Sequence, residues 1–126
     1  MSHFTTIQTQ IRDIAALREA CRELGFELIE NADARGYYED KPHRGEYVIK
    51  LNGPYDIALN KQQDGTYGLT CDWYDGHVEK EVGANYGKLI QLYGVWKATL
   101  EARKRGYTTR RQPLADGAIK LVIGGL

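Results

Sequence analysis

The residues with the clearest capacity for chemistry lie in one short stretch, CDWYDGH, at positions 71–77. Cys71, Asp75 and His77 are residue types that bind zinc, or that pair a cysteine with a histidine for nucleophilic catalysis. In a strand, however, Cys71 faces the apolar side, where no neighbour lowers the pKa of its thiol, and Asp75–Gly76 is typical of a turn. The stretch gives one hypothesis: a small enzyme, or a metal- or ligand-binding protein, centred on these three residues.

Other signatures of catalysis are missing from the sequence. Its one serine is Ser2, which leaves no serine nucleophile for a triad, and neither common glycine-rich phosphate-binding motif occurs. We therefore predict that the protein is not an enzyme and that it binds neither a metal nor a cofactor.

Tyrosine offers a different kind of chemistry, because it supplies contact area at low entropic cost where a partner covers the surface. The chain has nine tyrosines. Tyr37 and Tyr38 fall in a polar stretch outside any amphipathic pattern, and Tyr55 and Tyr74 fall at turns. We predict these four residues as partner-binding positions. The alternative is that tyrosine borders a small core with its hydroxyl group in water.

A basic stretch, LEARKRGYTTRRQ, occupies residues 100–112. One interpretation is an RNA- or single-stranded-DNA-binding surface that uses Arg103, Arg105, Tyr107, Arg110 and Arg111. The other is structural, because cations in the last turn of a helix interact favourably with its unpaired carbonyl groups. We favour the structural interpretation, since it accounts for most of these charges without a ligand.

Composition and charge limit which partners either of these surfaces can bind. The chain has 126 residues, with 17 basic and 17 acidic side chains, so no global field draws it to polyanions or membranes. Its length predicts a single domain over residues 1–126. No apolar run approaches the length of a membrane span, and Cys21 and Cys71 follow no disulfide or metal-binding spacing. These features predict a cytoplasmic protein with reduced, buried thiols.

The elements that must position these residues follow from the hydrophobic periodicity. It predicts an α+β fold with two helices packed on one face of a largely antiparallel sheet, in the order β-α-β-β-β-β-α-β-β. Asp13 and Gly25 are predicted to cap the first helix. The second helix is predicted over residues 82–105, with a polar loop at 31–45 and Asp-Gly turns after residues 63 and 74.

The segments MSHFTTIQTQIRD, YGLTCDWY and NYGKLIQLYGVWK together resemble a plastid reading-frame family, the ycf family numbered thirty-five. This family is shared by algal plastids and cyanobacteria. The resemblance implies a cytoplasmic protein, or a stromal one if it is plastid-encoded, and it brings no activity and no catalytic residues. It also suggests an accessory factor to an ATPase or an assembly complex.

We therefore predict a non-catalytic binding or adaptor module whose partner is another protein, with no membrane partner. Nucleic acid is the alternative partner. A homodimer formed through an open sheet edge is also compatible with the pattern.

Overall fold

Apolar side chains from the strands and from two long helices pack into one main core. The computed structural model describes residues 4–37 and 43–125. Its elements are, in chain order, β1 (Phe4–Gln8), α1 (Ile14–Leu24), β2 (Glu27–Ala34), β3 (His43–Lys50), β4 (Ile57–Lys61), β5 (Tyr67–Asp72), the one-turn helix α2 (Glu79–Val82), α3 (Gly87–Lys104), β6 (Thr108–Pro113) and β7 (Ile119–Gly124). The predicted α+β class and element order are confirmed.

Five strands form one antiparallel sheet in the order β1-β5-β4-β3-β2. Leu59 of β4 lies between Tyr47 of β3 and Leu69 of β5, so apolar residues line up on one face. Strands β6 and β7 form a separate hairpin and pair only with each other among the described residues. Pairing of β1 or β2, the two edges of the sheet, with a second copy stays a prediction.

Both long helices cover the same face of this sheet. Leu17 and Cys21 of α1 and Leu89 of α3 are fully buried in one core with Leu59 and Leu69 of the sheet. Burying each side chain of this size stabilises the folded state by about 1.5–3 kcal/mol relative to leaving it exposed to water. The helices therefore pack on the apolar face of the sheet.

The helix ends follow the capping rules. The carboxylate of Asp13 accepts a hydrogen bond from the backbone N–H of Ala16 at 3.2 Å, and Gly25 ends α1 with a left-handed φ of 83°. Gly106 ends α3 in the same way, with φ of 80° and a backbone bond from Tyr107 N–H to the Ala102 carbonyl. The two helix-to-strand connections therefore share one helix-end motif.

Helix α3 buries residues at helical spacing. Leu89, Leu92, Tyr93 and Val95 are buried, whereas Ile90 is exposed. At the predicted Asp75–Gly76 turn both residues have positive φ, 58° and 70°, and the chain continues into α2.

Part of the predicted irregular segment at 31–45 is strand, since residues 31–34 belong to β2 and residues 43–45 to β3. Asn31 has a left-handed φ of 49°, and beyond it the side chains change face, so that Ala32 and Ala34 pack with Val48 and Ala58 on the face opposite the helices. After this bend the chain passes the end of β4 and reaches the end of β5, where Tyr37 lies.

Candidate functional site

Two of the predicted tyrosines meet at one end of the sheet. The rings of Tyr37 and Tyr74 pack edge to face, with their centroids 4.8 Å apart. Tyr37 is 43% exposed, and Tyr74 is half-buried against the core. An edge-to-face contact of this kind adds about 0.5–1.5 kcal/mol beyond the area it buries, so the two rings stabilise each other's orientation.

A buried carboxylate fixes the backbone of this pair. Asp72, at the end of β5, is fully buried. One of its oxygens accepts the backbone N–H of Tyr37 and the other accepts the backbone N–H of Tyr74, each at 2.9 Å. Hydrogen bonds to an ionised acceptor are stronger than neutral ones, so Asp72 holds two distant segments in one geometry.

The segment that leads into Tyr37 is held by a second buried carboxylate, Asp56. It accepts the backbone N–H and the Nε of Arg35 at 2.9 Å each, and the Nζ of Lys50 at 3.2 Å. Burial alone would raise the pKa of Asp56, but the hydrogen bonds from Arg35 and Lys50 outweigh it and hold that pKa below its usual range.

Tyr55 supports this end of the sheet from inside. Only 7% of Tyr55 is exposed, and its ring packs against the edge of His77 at 5.0 Å between centroids. Burial raises the pKa of Tyr55, and the nearby charges of Asp72 and the other tyrosines raise it further. The expectation that Tyr55 lies at a contact surface is therefore wrong, because its ring fills the protein interior.

The turn between β3 and β4 is tied to α2. The carboxylate of Glu81 accepts the backbone N–H groups of Asn52 and Gly53, at 2.8 and 3.1 Å. With Asp56 and Asp72, this makes three acidic side chains that receive backbone amides at the same end of the molecule. Such bonds restrict loop motion, because each satisfies backbone donors that strand pairing leaves free.

The predicted Cys71–Asp75–His77 centre does not form. Cys71 is fully buried, accepts a hydrogen bond from the Tyr86 hydroxyl group at 3.1 Å, and has its pKa raised by burial to about 12. His77 instead lies 3.7 Å from Asp75 through Nε2, and its Nδ1 is buried without a hydrogen-bond partner. Within residues 4–37 and 43–125, no three potential ligands are grouped closely enough to hold a metal ion.

Two of the predicted nucleic-acid residues are occupied by structural contacts. Arg111 donates through both terminal nitrogens to Glu23 at 2.8 and 2.9 Å, and Trp96 Nε1 donates to the same carboxylate at 2.9 Å. The guanidinium carbons of Arg103 and Arg111 lie 5.7 and 5.3 Å from the centre of the Trp96 ring. Such cation–π contacts fix both arginines against the helix.

The other three predicted nucleic-acid residues are exposed. Tyr107 is 40% exposed, Arg105 lies beside it at the end of α3, and Arg110 is exposed in β6. The prediction of a nucleic-acid contact therefore depends on these three residues. Tyr38 lies outside the described residues.

Comparison with known proteins gives the family. The family model described as "Protein of unknown function (DUF1257)" matches residues 20–122. "Uncharacterized protein ycf35" of Pyropia yezoensis is 30% identical over 124 residues, which cover 98% of this chain and 96% of the relative. The chain belongs to the DUF1257 family. The predicted resemblance is thereby confirmed. No solved structure matches the protein.

Membership of the DUF1257 family assigns no reaction, because the family and the ycf35 relative are both described without one. In the part of the chain that the structure describes, no helix combines the length and apolar character needed to cross a membrane. The site must therefore be interpreted from its own geometry.

Sequence reasoning missed the two carboxylates that organise this DUF1257 protein. Asp56 directly precedes the apolar strand β4, and Asp72 ends the apolar strand β5. An acidic residue at the end of an apolar strand is costly to bury unless it accepts several hydrogen bonds. That signal was visible in the sequence, although the identity of the donors was not.

Proposed function

We propose that this protein is a non-catalytic protein-binding module, and that its contact surface is the tyrosine platform, formed by Tyr37, Tyr74, Asp75 and His77. The observation that carries the proposal is the contact between the exposed ring of Tyr37 and the half-buried ring of Tyr74, whose two backbone segments share the buried carboxylate of Asp72.

The rigidity of the platform favours binding. A partner that covers flexible side chains loses about 0.5–1.5 kcal/mol for each one it immobilises. Tyr37 and Tyr74 lose less, because Asp72 fixes their backbone and the two rings restrain each other. Tyrosine is also enriched among the residues that dominate protein interfaces.

The border of the platform suits a protein partner. The side chain of Asp75 is 71% exposed and that of His77 is 26% exposed, so polar groups flank the aromatic pair. An apolar centre with a polar rim is the usual anatomy of a protein–protein contact. Tyr37 is 43% exposed, so burial in the core does not explain its position.

A two-part capture experiment tests this function. Tagged wild-type protein, the Tyr37→Ala/Tyr74→Ala variant and the Ile90→Ala variant are each incubated with nuclease-treated and untreated native lysate. Bound proteins are quantified by mass spectrometry. Ile90 is the matched control, since it is 36% exposed but lies on α3, outside the tyrosine platform.

We expect a protein partner that is still captured after nuclease treatment and that binds wild type and Ile90→Ala alike. In titration calorimetry with the purified partner, the double variant should bind at least about tenfold more weakly, the loss typical of an aromatic hot spot. An ATPase or an assembly component among the captured partners would indicate that this protein is an accessory factor to that complex. Equal affinity of the double variant for the partner would contradict the proposal.

A further inference from the structure

A groove separates the C-terminal end of α3 from the β6–β7 hairpin. Its volume is about 340 Å³, and it is lined by Ala98, Glu101, Ala102, Arg105, Tyr107 and Ile123. We call these six residues the hairpin groove. It lies on elements other than those of the tyrosine platform.

The hairpin groove exposes apolar surface. Ile123 is 51% exposed and Tyr107 is 40% exposed, and both belong to the small set of large apolar residues that are exposed in the described chain. Ala98 and Ala102 add further apolar surface from α3. Apolar residues exposed singly are common, but two that border one groove indicate a binding position.

Charge is unevenly distributed along the chain, although the total is zero. Residues 102–126 contain six basic residues and one acidic residue, Asp116, a net charge of +5. Residues 1–101 hold the other eleven basic and sixteen acidic residues, a net charge of −5. The end of α3 and the hairpin therefore form the positive part of the protein.

Part of this positive charge is available near the groove. Glu101, the acidic residue in the lining, forms an ion pair with Lys97 at 3.2 Å, whereas Arg105 is exposed at the end of α3. Arg110 pairs with Val122 and Lys120 pairs with Gln112 in the hairpin register. Arg110 and Lys120 are therefore diagonal neighbours on one face of the hairpin, opposite the face that carries Ile123, and both are exposed.

We propose that the hairpin groove binds an acidic protein segment carrying one bulky apolar side chain. The apolar side chain packs between Tyr107 and Ile123, and flanking carboxylates lie near Arg105, with Arg110 and Lys120 adding long-range attraction. Charge complementarity of this kind raises association rate and specificity.

A nucleic acid fits this groove less well. Sequence-tolerant binding of single strands needs successive aromatic platforms, and the groove offers one, Tyr107. Its alanine and isoleucine surface gives a base edge no hydrogen-bond partner. Arg103 and Arg111, which a nucleic-acid surface would also use, are held by Trp96 and Glu23.

The inference shares with the proposed function only the class of partner, a protein. A second contact surface would make the module an adaptor, because the two surfaces lie on different elements. The test uses variants of the hairpin groove and treats the platform variant as a control, so that the failure of one proposal is distinguishable from the failure of the other.

Fluorescence anisotropy with defined probes tests the groove. The probes are a fluorescein-labelled peptide of glutamates around a central leucine, the same peptide with a central glycine, and an oligouridine RNA of matched charge. The proteins are the wild type, Ile123→Ser and Arg105→Glu. Ile90→Ser and Lys88→Glu are matched controls, since both residues are exposed on α3 and Lys88 lies about 25 Å from Arg105 along the helix.

We expect saturable binding of the leucine peptide to wild type, with about tenfold weaker binding of the glycine peptide and of Ile123→Ser and Arg105→Glu. The two controls and the Tyr37→Ala/Tyr74→Ala variant should match wild type within about twofold. Circular dichroism confirms that each variant is folded.

Three results would overturn the proposal. The first is no saturable binding of the leucine peptide. The second is equal affinity for the glycine peptide, which would show that binding depends on charge attraction alone and not on the apolar side chain. The third is tighter binding of the RNA than of the peptide, which would assign the basic surface to nucleic acid.

Discussion

Glu23 and Arg111 lie 88 positions apart in the chain and form a two-armed ion pair, with N–O distances of 2.8 and 2.9 Å. The pair joins the end of α1 to β6. Because the hairpin shares no strand with the five-stranded sheet among the described residues, this contact and the packing on α3 hold it in place.

Replacing Glu23 by glutamine should loosen the hairpin selectively. The neutral side chain forms weaker bonds to Arg111 and Trp96, so amide hydrogen exchange should accelerate over residues 108–124 while exchange in the sheet is unchanged. The global cost should be about 1 kcal/mol in free energy of unfolding, since both partners are partly exposed.

Glu19→Gln is the matched control for this prediction. Glu19 lies on the same helix and pairs with Arg22 at 2.8 Å, but that pair does not involve the hairpin. Hairpin exchange in Glu23→Gln that equals the wild-type rate would show that the ion pair does not hold the hairpin.

Asp56→Asn should destabilise the fold at neutral pH. The variant leaves Arg35 and Lys50 without an anionic partner, and we expect a loss of about 1–3 kcal/mol in free energy of unfolding, measured by urea denaturation. Asp33→Asn is the control. Asp33 forms an exposed pair with Arg44 at 3.5 Å, and its loss should cost less than about 1 kcal/mol.

The pH dependence of this loss has a defined sign. Because the pKa of Asp56 is lowered in the folded state, its carboxylate stabilises the protein fully above about pH 4, the ordinary aspartate pKa. The stabilisation is lost as the pH falls from there through the folded-state pKa. The difference between wild type and Asp56→Asn should shrink over that interval. A difference that stays constant down to pH 2 would assign the effect to packing and not to charge.

Neither cysteine should react with a thiol reagent in the native protein at pH 8. Cys21 and Cys71 are fully buried, and burial raises the pKa of each to about 12. Modification should therefore proceed at the rate of unfolding, and both thiols should react at once in guanidinium chloride.

The variant Tyr86→Phe separates the causes of this low reactivity. The Tyr86 hydroxyl group donates to Cys71 and lowers the pKa of its thiol, whereas burial raises it more strongly. The variant should thus stay unreactive. Fast labelling of Cys71 in the native protein would instead support the hypothesis that Cys71 is a nucleophile.

The local features of the fold were predictable from sequence because local interactions determine them. The Asp13 cap, the Gly25 helix end and the Asp64–Gly65 hairpin turn each depend on a few neighbouring residues. Asp75–Gly76 marks the limit of this reasoning. Its positive φ values follow from residue type, but the direction of the chain afterwards depends on α2, which packs Val82 into the core.

The tyrosine platform was only half predictable. Residue type and polar surroundings identified Tyr37 and Tyr74, but nothing local indicated that they touch each other or that Tyr55 is buried. Those relationships depend on the bend at Asn31 and on the contacts of Asp72, which join segments distant in sequence.

The hydrogen bond from Tyr37 to Asp72 spans 35 positions, and it has a consequence for the order of folding. Asp72 is in place only when β5 has docked between β4 and β1. The aromatic pair is therefore complete only when the segment after β2 and the end of β5 are both in place. A partner that recognises this pair would distinguish completed molecules from nascent or partly folded chains.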